Sequence, residues 1–348
     1  MSIHPKVTVC LPTYNRAGYL QDCLTSILNQ SFQDFEVVVS DNCSIDSTPD
    51  VLRSCTDVRV RSSRNETNIG PIGNMNRCLE LARGEYVVIA HDDDLYSREF
   101  LTRAVDMLDR NPKVGMVHCA ACEIDEHTNV KRLIRAYPTT CILDGKREFL
   151  EYLKAHNVCC STVMMPRRIY DEMGRCDMRY MCWDWLMWLR LALRYDIAYI
   201  AEPLVGIRIH GERVTTSITA DRWYREFLDI FQEACKEAKA AFPWIVQDEE
   251  RLASQACMVQ SRRFFMESMQ ASSWGDFARA HDYIRILQSF GRRGWPWVYV
   301  VVARLFANRL GQVLLWPVRH ASQYLARRDA MAISHATAGS RKFSVIPQ

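Results

Sequence analysis

The sequence has no low-complexity segment, no internal repeat and no heptad pattern, which sets aside disorder, solenoid arrays and coiled coils. It also lacks a strong charge of one sign, with a net of only +3 over 348 residues. No secretory signal precedes the first strand-like run at Lys6, and no second pair with zinc spacing accompanies Cys119-x-x-Cys122. The fourteen cysteines, several of them in apolar runs (Cys10, Cys119, Cys182, Cys257), are therefore expected to be reduced, in a cytoplasmic protein. Nor is there an unbroken apolar run of transmembrane length. Residues 295–318 come closest, but Arg304, Asn308, Arg309 and Gln312 interrupt them.

What is present is an alternation of short β-branched runs and helical spacings. Strands are expected at residues 7–11, 36–40, 58–60 and 86–90, with helices at 19–28, 73–82 and 100–108. That alternation predicts an α/β fold, a mostly parallel central sheet flanked by helices. Residues 114–219 read as mixed, with a helix at 183–195 and short strands at 198–200 and 205–209; from Asp221 to about Phe290 the pattern is helical. Ligands of such sheets bind beyond the carboxyl ends of the strands. Those ends carry Pro12-Thr13-Tyr14-Asn15-Arg16, Ser40-Asp41-Asn42-Cys43-Ser44, a turn-rich loop through Asn68, and His91-Asp92-Asp93-Asp94.

Three consecutive aspartates repel one another unless a cation sits among them. Mg²⁺ or Mn²⁺ held by carboxylates and substrate phosphate oxygens would satisfy Asp92, Asp93 and Asp94. A solvated turn or a helix cap would also accommodate them. The loop after the first strand is neither Gly-rich nor basic, unlike the phosphate loop a nucleotidyltransferase would need.

Taken together, Val9-Cys10-Leu11-Pro12-Thr13-Tyr14-Asn15-Arg16, Val37-Val38-Val39-Ser40-Asp41-Asn42-Cys43-Ser44, Asn68-Ile69-Gly70, Ala82-Arg83-Gly84-Glu85-Tyr86 and His91-Asp92-Asp93-Asp94 resemble the family-2 nucleotide-sugar glycosyltransferases of the GT-A fold, over roughly residues 5–110. The resemblance implies an inverting, metal-dependent transferase using Mn²⁺ or Mg²⁺. It implies a nucleotide-sugar site at Pro12, Thr13, Tyr14, Asn15, Asp41, Asn68, Asp92 and Asp93, with Thr13 and Asp41 at the base and ribose. Asp92 and Asp94 match the family's DxD motif. His91 departs from the pattern, since many members carry an acid there. That leaves the division of labour among the three aspartates open, with Asp94 favoured as the direct metal ligand.

Inverting transfer needs a carboxylate to take the acceptor's proton. Asp184, in Trp183-Asp184-Trp185-Leu186-Met187-Trp188, resembles the family's catalytic acid, and its flanking tryptophans are expected to desolvate it or to stack on acceptor sugars. The same position also suits an ordinary helix N-terminal acid beside core tryptophans. His210 resembles the family's late histidine, a metal or diphosphate ligand alongside Asp94 and Asp92. Arg208 and Arg213 are candidates to assist the diphosphate.

From Arg285 onward, ten Lys or Arg face a single acid, Asp329, leaving the tail at +9 and the remainder at −6. With Trp295, Trp297, Tyr299 and Trp316 near its ends, the 295–318 segment reads as an interfacial helix for an anionic membrane surface, better suited to lipid than to nucleic acid. The expected organisation is a catalytic domain at 1–219 (nucleotide-sugar binding 1–112, acceptor side 113–219) and a helical region at 220–348. The expected setting is the inner face of the plasma membrane, with a UDP- or dTDP-sugar donor and a lipid-linked sugar acceptor in bacterial surface-glycan synthesis. A non-catalytic nucleotide-sugar-binding or scaffolding member is the alternative.

Overall fold

A computed structural model of the chain describes residues 4–155, 158–210, 219–273, 277–289, 301–304 and 307. In chain order the elements are β1 (Val7–Thr13), α1 (Ala17–Leu28), β2 (Phe35–Asp41), α2 (Thr48–Ser54), β3 (Val60–Arg64), α3 (Gly70–Leu81), β4 (Tyr86–Ile89), β5 (Leu95–Tyr96), α4 (Phe100–Arg110), β6 (Val114–Ile124), β7 (Val130–Ile134), β8 (Cys141–Leu143), α5 (Gly145–Lys154), a 3-10 turn (Cys160–Thr162), β9 (Val163–Pro166), α6 (Arg167–Met173), α7 (Trp183–Ala192), β10 (Asp196–Arg208), α8 (Ala220–Ala241), α9 (Glu249–Ser273) and α10 (Phe277–Ser289).

The strands form one sheet in the order β3-β2-β1-β4-β9-β6-β10-β5, with β7 on β6 and β8 on β10. Strands β3, β2, β1 and β4 are mutually parallel, as are β6 and β10. Because β9 runs antiparallel to both β4 and β6, all six of those strands point the same way. Their carboxyl ends therefore meet on one side of the sheet, as the expected mostly parallel α/β fold requires. All of β2 is buried, and β1 nearly so, which is why their sequences read as apolar runs rather than alternations. Helices α1 and α4 cover the sheet through Leu20, Leu24 and Ile27, and through Phe100, Leu101, Ala104, Val105 and Leu108, spacings that fall on one helical face.

Gly84 is demanded by close approach. The Arg83 and Gly84 N–H groups donate to the Thr8 hydroxyl at 3.1 and 2.8 Å, and a Cβ on Gly84 would lie 2.4 Å from the Thr8 nitrogen. The Ala82-Arg83-Gly84-Glu85-Tyr86 motif thus docks the entry to β4 directly onto β1.

Some expected elements shift. The third strand begins at Val60 rather than Val58, whose side chain is exposed. The strands expected at 198–200 and 205–209 are one strand, β10, broken only by register shifts on either side of Pro203. Proline supplies no N–H to the ladder, so pairing slips there and then resumes. The helix expected at 183–195 ends at Ala192.

The described residues divide into two compact units, one of 4–148 and 158–210, the other of 149–155, 219–273, 277–289, 301–304 and 307. The second is helical, and its core gathers Phe264, Ala271, Ala280, Ile284 and Leu287, with Trp223 packed against them. All fourteen cysteines are free. Among the described residues no helix is long and apolar enough to cross a membrane. Arg213 and nearly all of the apolar 295–318 segment lie outside the described residues.

Candidate active site

The carboxyl ends of β1, β2 and β3 place Thr13, Asp41 and Arg64 side by side, since Thr13 pairs with Asp41 and Asp41 with Arg64. Asp41 is buried and fully engaged. Its Oδ1 accepts the Ser44 N–H at 2.9 Å, while Oδ2 pairs with the Arg64 guanidinium, which also donates to the Ser44 carbonyl at 2.8 Å. The Thr13 side chain is buried beside it. Asn15 adopts a left-handed backbone (φ 52°) and is laced to the next loop: its N–H donates to Ser44 Oγ at 2.9 Å, and its Oδ1 accepts the Ile45 N–H at 2.8 Å. Pro12 is half-buried and Tyr14 is exposed at the rim.

Behind this rim Asn68, expected at the nucleotide-sugar site, joins Asn42, Asn65 and Asn74, whose amides the sequence did not single out. Asn42 spends its whole side-chain capacity. Its Nδ2 donates to Asn68 Oδ1 (2.8 Å) and to the Gly70 carbonyl (3.2 Å), and its Oδ1 accepts from Asn65 Nδ2 and the Ile69 N–H, both at 3.0 Å. Asn65 also donates to Asn74 Oδ1 at 2.9 Å, and Asn74 donates to the Ser40 carbonyl at 2.8 Å. Asn68 is exposed, yet its Oδ1 also accepts the Gly70 N–H at 2.9 Å, so it ties the start of α3 to the end of β2. The only sequence signal was a density of asparagines between Asn42 and Asn76, which reads equally well as turn chemistry.

The acidic turn follows β4. Asp94 is 1% exposed. Its Oδ1 accepts the Arg208 N–H at 3.0 Å, whereas Oδ2 is buried without a hydrogen bond and has His91 Nδ1 at 3.6 Å. Asp93 Oδ2 lies 2.9 Å from His210 Nε2, and the His210 ring packs on Tyr19 with centroids 4.7 Å apart. Burial, reinforced by the Asp93 charge, pushes Asp92 up to about 7 and Asp94 up to about 6. The Thr13 hydroxyl pulls Asp92 back, as the His91 ring and the Ser161 hydroxyl do Asp94. A buried carboxylate with a raised pKa and one oxygen free of hydrogen bonds suits a divalent cation. His91, Asp93 and Asp94 each offer a ligand atom within 4.8 Å of the others. This set brings in His91, which sequence reading treated only as a departure from the pattern. Asp92 sits outside the set, toward Thr13, and His210 stands one step back, on Asp93.

Asp184 occupies the first turn of α7, half-buried, with Oδ1 accepting the Trp185 N–H at 3.0 Å. One buried thiol, Cys160, is pushed up by burial and then by nearby charges that include both Asp184 and Asp94, so the two carboxylates share the neighbourhood of the 3-10 turn. The tryptophans around Asp184 are not available to stack on sugars: Trp183, Trp185 and Trp188 are 3%, 2% and 1% exposed, because they form the packed face of α7. Arg208 likewise points inward rather than toward a diphosphate. Its guanidinium donates to the carbonyls of Asp93 and Glu126.

Residues 8–174, which hold this turn and the ends of β1 to β4, match the family model described as Glycosyl transferase family 2. The chain belongs to glycosyltransferase family 2. It is 29% identical over 223 residues to the putative teichuronic acid biosynthesis glycosyltransferase TuaG of Bacillus subtilis, covering 63% of this chain and 83% of that protein. It is 36% identical over 132 residues to the GalNAc(5)-diNAcBac-PP-undecaprenol beta-1,3-glucosyltransferase of Campylobacter jejuni, covering 37% of this chain and 41% of that one. The fold of this glycosyltransferase matches the crystal structure of S. aureus TarS 1-349 in complex with UDP-GlcNAc at a TM-score of 0.60 and 19% identity, covering 98% and 94% of the two chains. Asp184 and His210 both lie beyond the stretch that the family model matches.

Proposed function

We propose that this glycosyltransferase moves a sugar, with inversion, from a nucleoside-diphosphate donor to an acceptor hydroxyl. The observation that carries the reading is the buried Asp94 Oδ2 at the heart of the acidic turn, which accepts no hydrogen bond and has His91 Nδ1 at 3.6 Å. Asp94, Asp93 and His91 would hold a cation there, which would neutralise the charge that builds on the departing diphosphate. Thr13, Tyr14, Asn15 and Asp41 form the nucleoside end of the site, Asn68 braces it through Asn42, and Asp92 is the carboxylate of the acidic turn beside Thr13. Asp184 accepts the proton of the acceptor hydroxyl as its oxygen forms the new bond to the anomeric carbon. The bond from that carbon to the diphosphate oxygen breaks on the opposite face, which inverts the configuration.

The donor chemistry fits uridine or thymidine diphosphate sugars. Of the two named relatives, one is by its name a putative teichuronic acid biosynthesis enzyme and the other acts on an undecaprenol-linked glycan, which supports a lipid-linked acceptor at the inner face of the plasma membrane. The basic, apolar tail fits the same place. Under this reading residues 1–219 carry catalysis and 220–348 carry the helical, membrane-facing part.

A panel of nucleotide sugars with Mn²⁺ or Mg²⁺, scored for binding and hydrolysis, tests the central claim. Binding of at least one donor, abolished by Asp94→Ala, is expected; no binding across the panel overturns it. Removing residues 292–348 is expected to release the protein from anionic liposomes, and persistent binding would remove the tail from the proposal.

A further inference from the structure

Arg208 ends β10 at the edge of the acidic turn and is 1% exposed, so its charge must be matched inside the protein. Its Nε donates to the Asp93 carbonyl at 3.0 Å and Nη1 to the Glu126 carbonyl at 2.9 Å. Nη2 reaches Asp22 Oδ2 at 3.5 Å, and the guanidinium lies 5.2 Å from the centroid of the Tyr19 ring. Its backbone N–H donates to Asp94 Oδ1 at 3.0 Å. The planar fork is thus spent mainly on two backbone carbonyls, one of them within the acidic turn, and on none of the three carboxylates of that turn. A fork used this way fixes the shape of the turn; it does little to neutralise it.

The consequence falls on Asp94. One carboxylate oxygen is held by the Arg208 backbone, while the other is buried without a hydrogen bond, toward His91. We propose that Arg208 is a positioning residue that locks the Asp93-Asp94 turn so that Asp94 offers a single oxygen, Oδ2, to a divalent cation. The inference rests on the metal reading above and deepens it. The lock draws on four separate parts of the fold: the end of β10, the turn after β4, the loop after β6, and α1 through Asp22 and Tyr19.

A fixed shape and a fixed charge make opposite demands. If Arg208 acted as a buried positive charge beside the site, removing it would tighten cation binding and a lysine would preserve the original affinity. If it acts through its fork, both changes loosen the turn. The test is a Mn²⁺ titration read by electron paramagnetic resonance of the free ion, on wild type, Arg208→Lys and Arg208→Gln, each checked by metal-free melting. Both variants are expected to bind Mn²⁺ about 10–100-fold more weakly than wild type, the range typical for groups that orient metal ligands. Tighter binding by Arg208→Gln, or wild-type affinity in either variant, overturns the assignment while leaving the metal reading standing. Failure of the wild type to take up Mn²⁺ overturns both.

A second measurement needs no variant and so survives a folding failure. The Arg208 Nε–H of the wild type is expected to stay protected from solvent exchange, by NMR, with and without saturating Mg²⁺. Loss of that protection on adding Mg²⁺ would show that the fork lets go when the cation arrives, and the proposal would fall.

Discussion

The Nε2 of His210 lies 2.9 Å from Oδ2 of Asp93, joining positions 117 residues apart. The fold achieves this because β10 and β4 point the same way, so the loop after one strand meets the turn after the other. His210 then restrains an aspartate whose carboxylate also sits within reach of His91 and Asp94.

Removing that restraint has a measurable outcome. His210→Ala is expected to lower metal-dependent donor turnover about 10–100-fold by freeing the Asp93 carboxylate. His210→Gln keeps a donor on the side chain and is expected to recover part of the loss. Equal defects in the two variants, by steady-state kinetics, would argue that the imidazole does more than hold Asp93.

The acidic turn sets a pH dependence whose sign is fixed. Asp92 and Asp94 are raised from 3.8 to about 7 and about 6, so between those limits the folded protein holds protons that the unfolded chain releases. Their contribution to stability is full below the unfolded value and is lost as pH rises through about 6 to 7. Without metal, melting temperature is expected to fall across that window; with Mn²⁺ the fall is offset, because the cation favours the ionised form. Thermal melts at about pH 5 and about pH 8 should therefore show the larger Mn²⁺-induced rise at the higher pH. A rise independent of pH would place the cation elsewhere.

For Asp184, Asp184→Asn is expected to retain donor binding while transfer drops by about 10²–10⁴, the usual worth of a general base. Calorimetry for the donor and a transfer assay separate the two effects. Undiminished transfer would exclude Asp184 as the base.

Asn42→Ala strands the Asn65 amide and the Ile69 N–H, each of which loses a buried partner. The expected cost is about 1–3 kcal/mol in chemical denaturation. Donor binding is expected to weaken as the loop through Asn68 loosens from β2. Unchanged donor affinity together with lowered stability would restrict Asn42 to a structural role.

The fold was largely legible because periodicity records burial. The apolar run of Val37-Val38-Val39 marks a strand covered on both faces, and the buried spacing of α4 marks a one-sided helix. The strand starting at Val60 was misplaced because its residues are mixed in burial at the sheet edge, where periodicity fades. The break expected in β10 came from Glu202-Pro203, a local signal overridden by ten positions of parallel pairing with β6.

By itself, then, the sequence determined the doubly covered parallel sheet, the loops that must lie at its carboxyl edge, and the presence there of an aspartate triplet. Residue type and spacing are enough for that, since they dictate which faces are buried and where strands stop. Only the tertiary structure decided which partners those loops meet. It turned Arg208 inward, tied Asn68 to Asn42, buried the tryptophans around Asp184, set His91 beside Asp94, and brought Asp184 and Asp94 into the neighbourhood of Cys160. Such pairings depend on strand order and register across long crossovers, and no local pattern of residues encodes them.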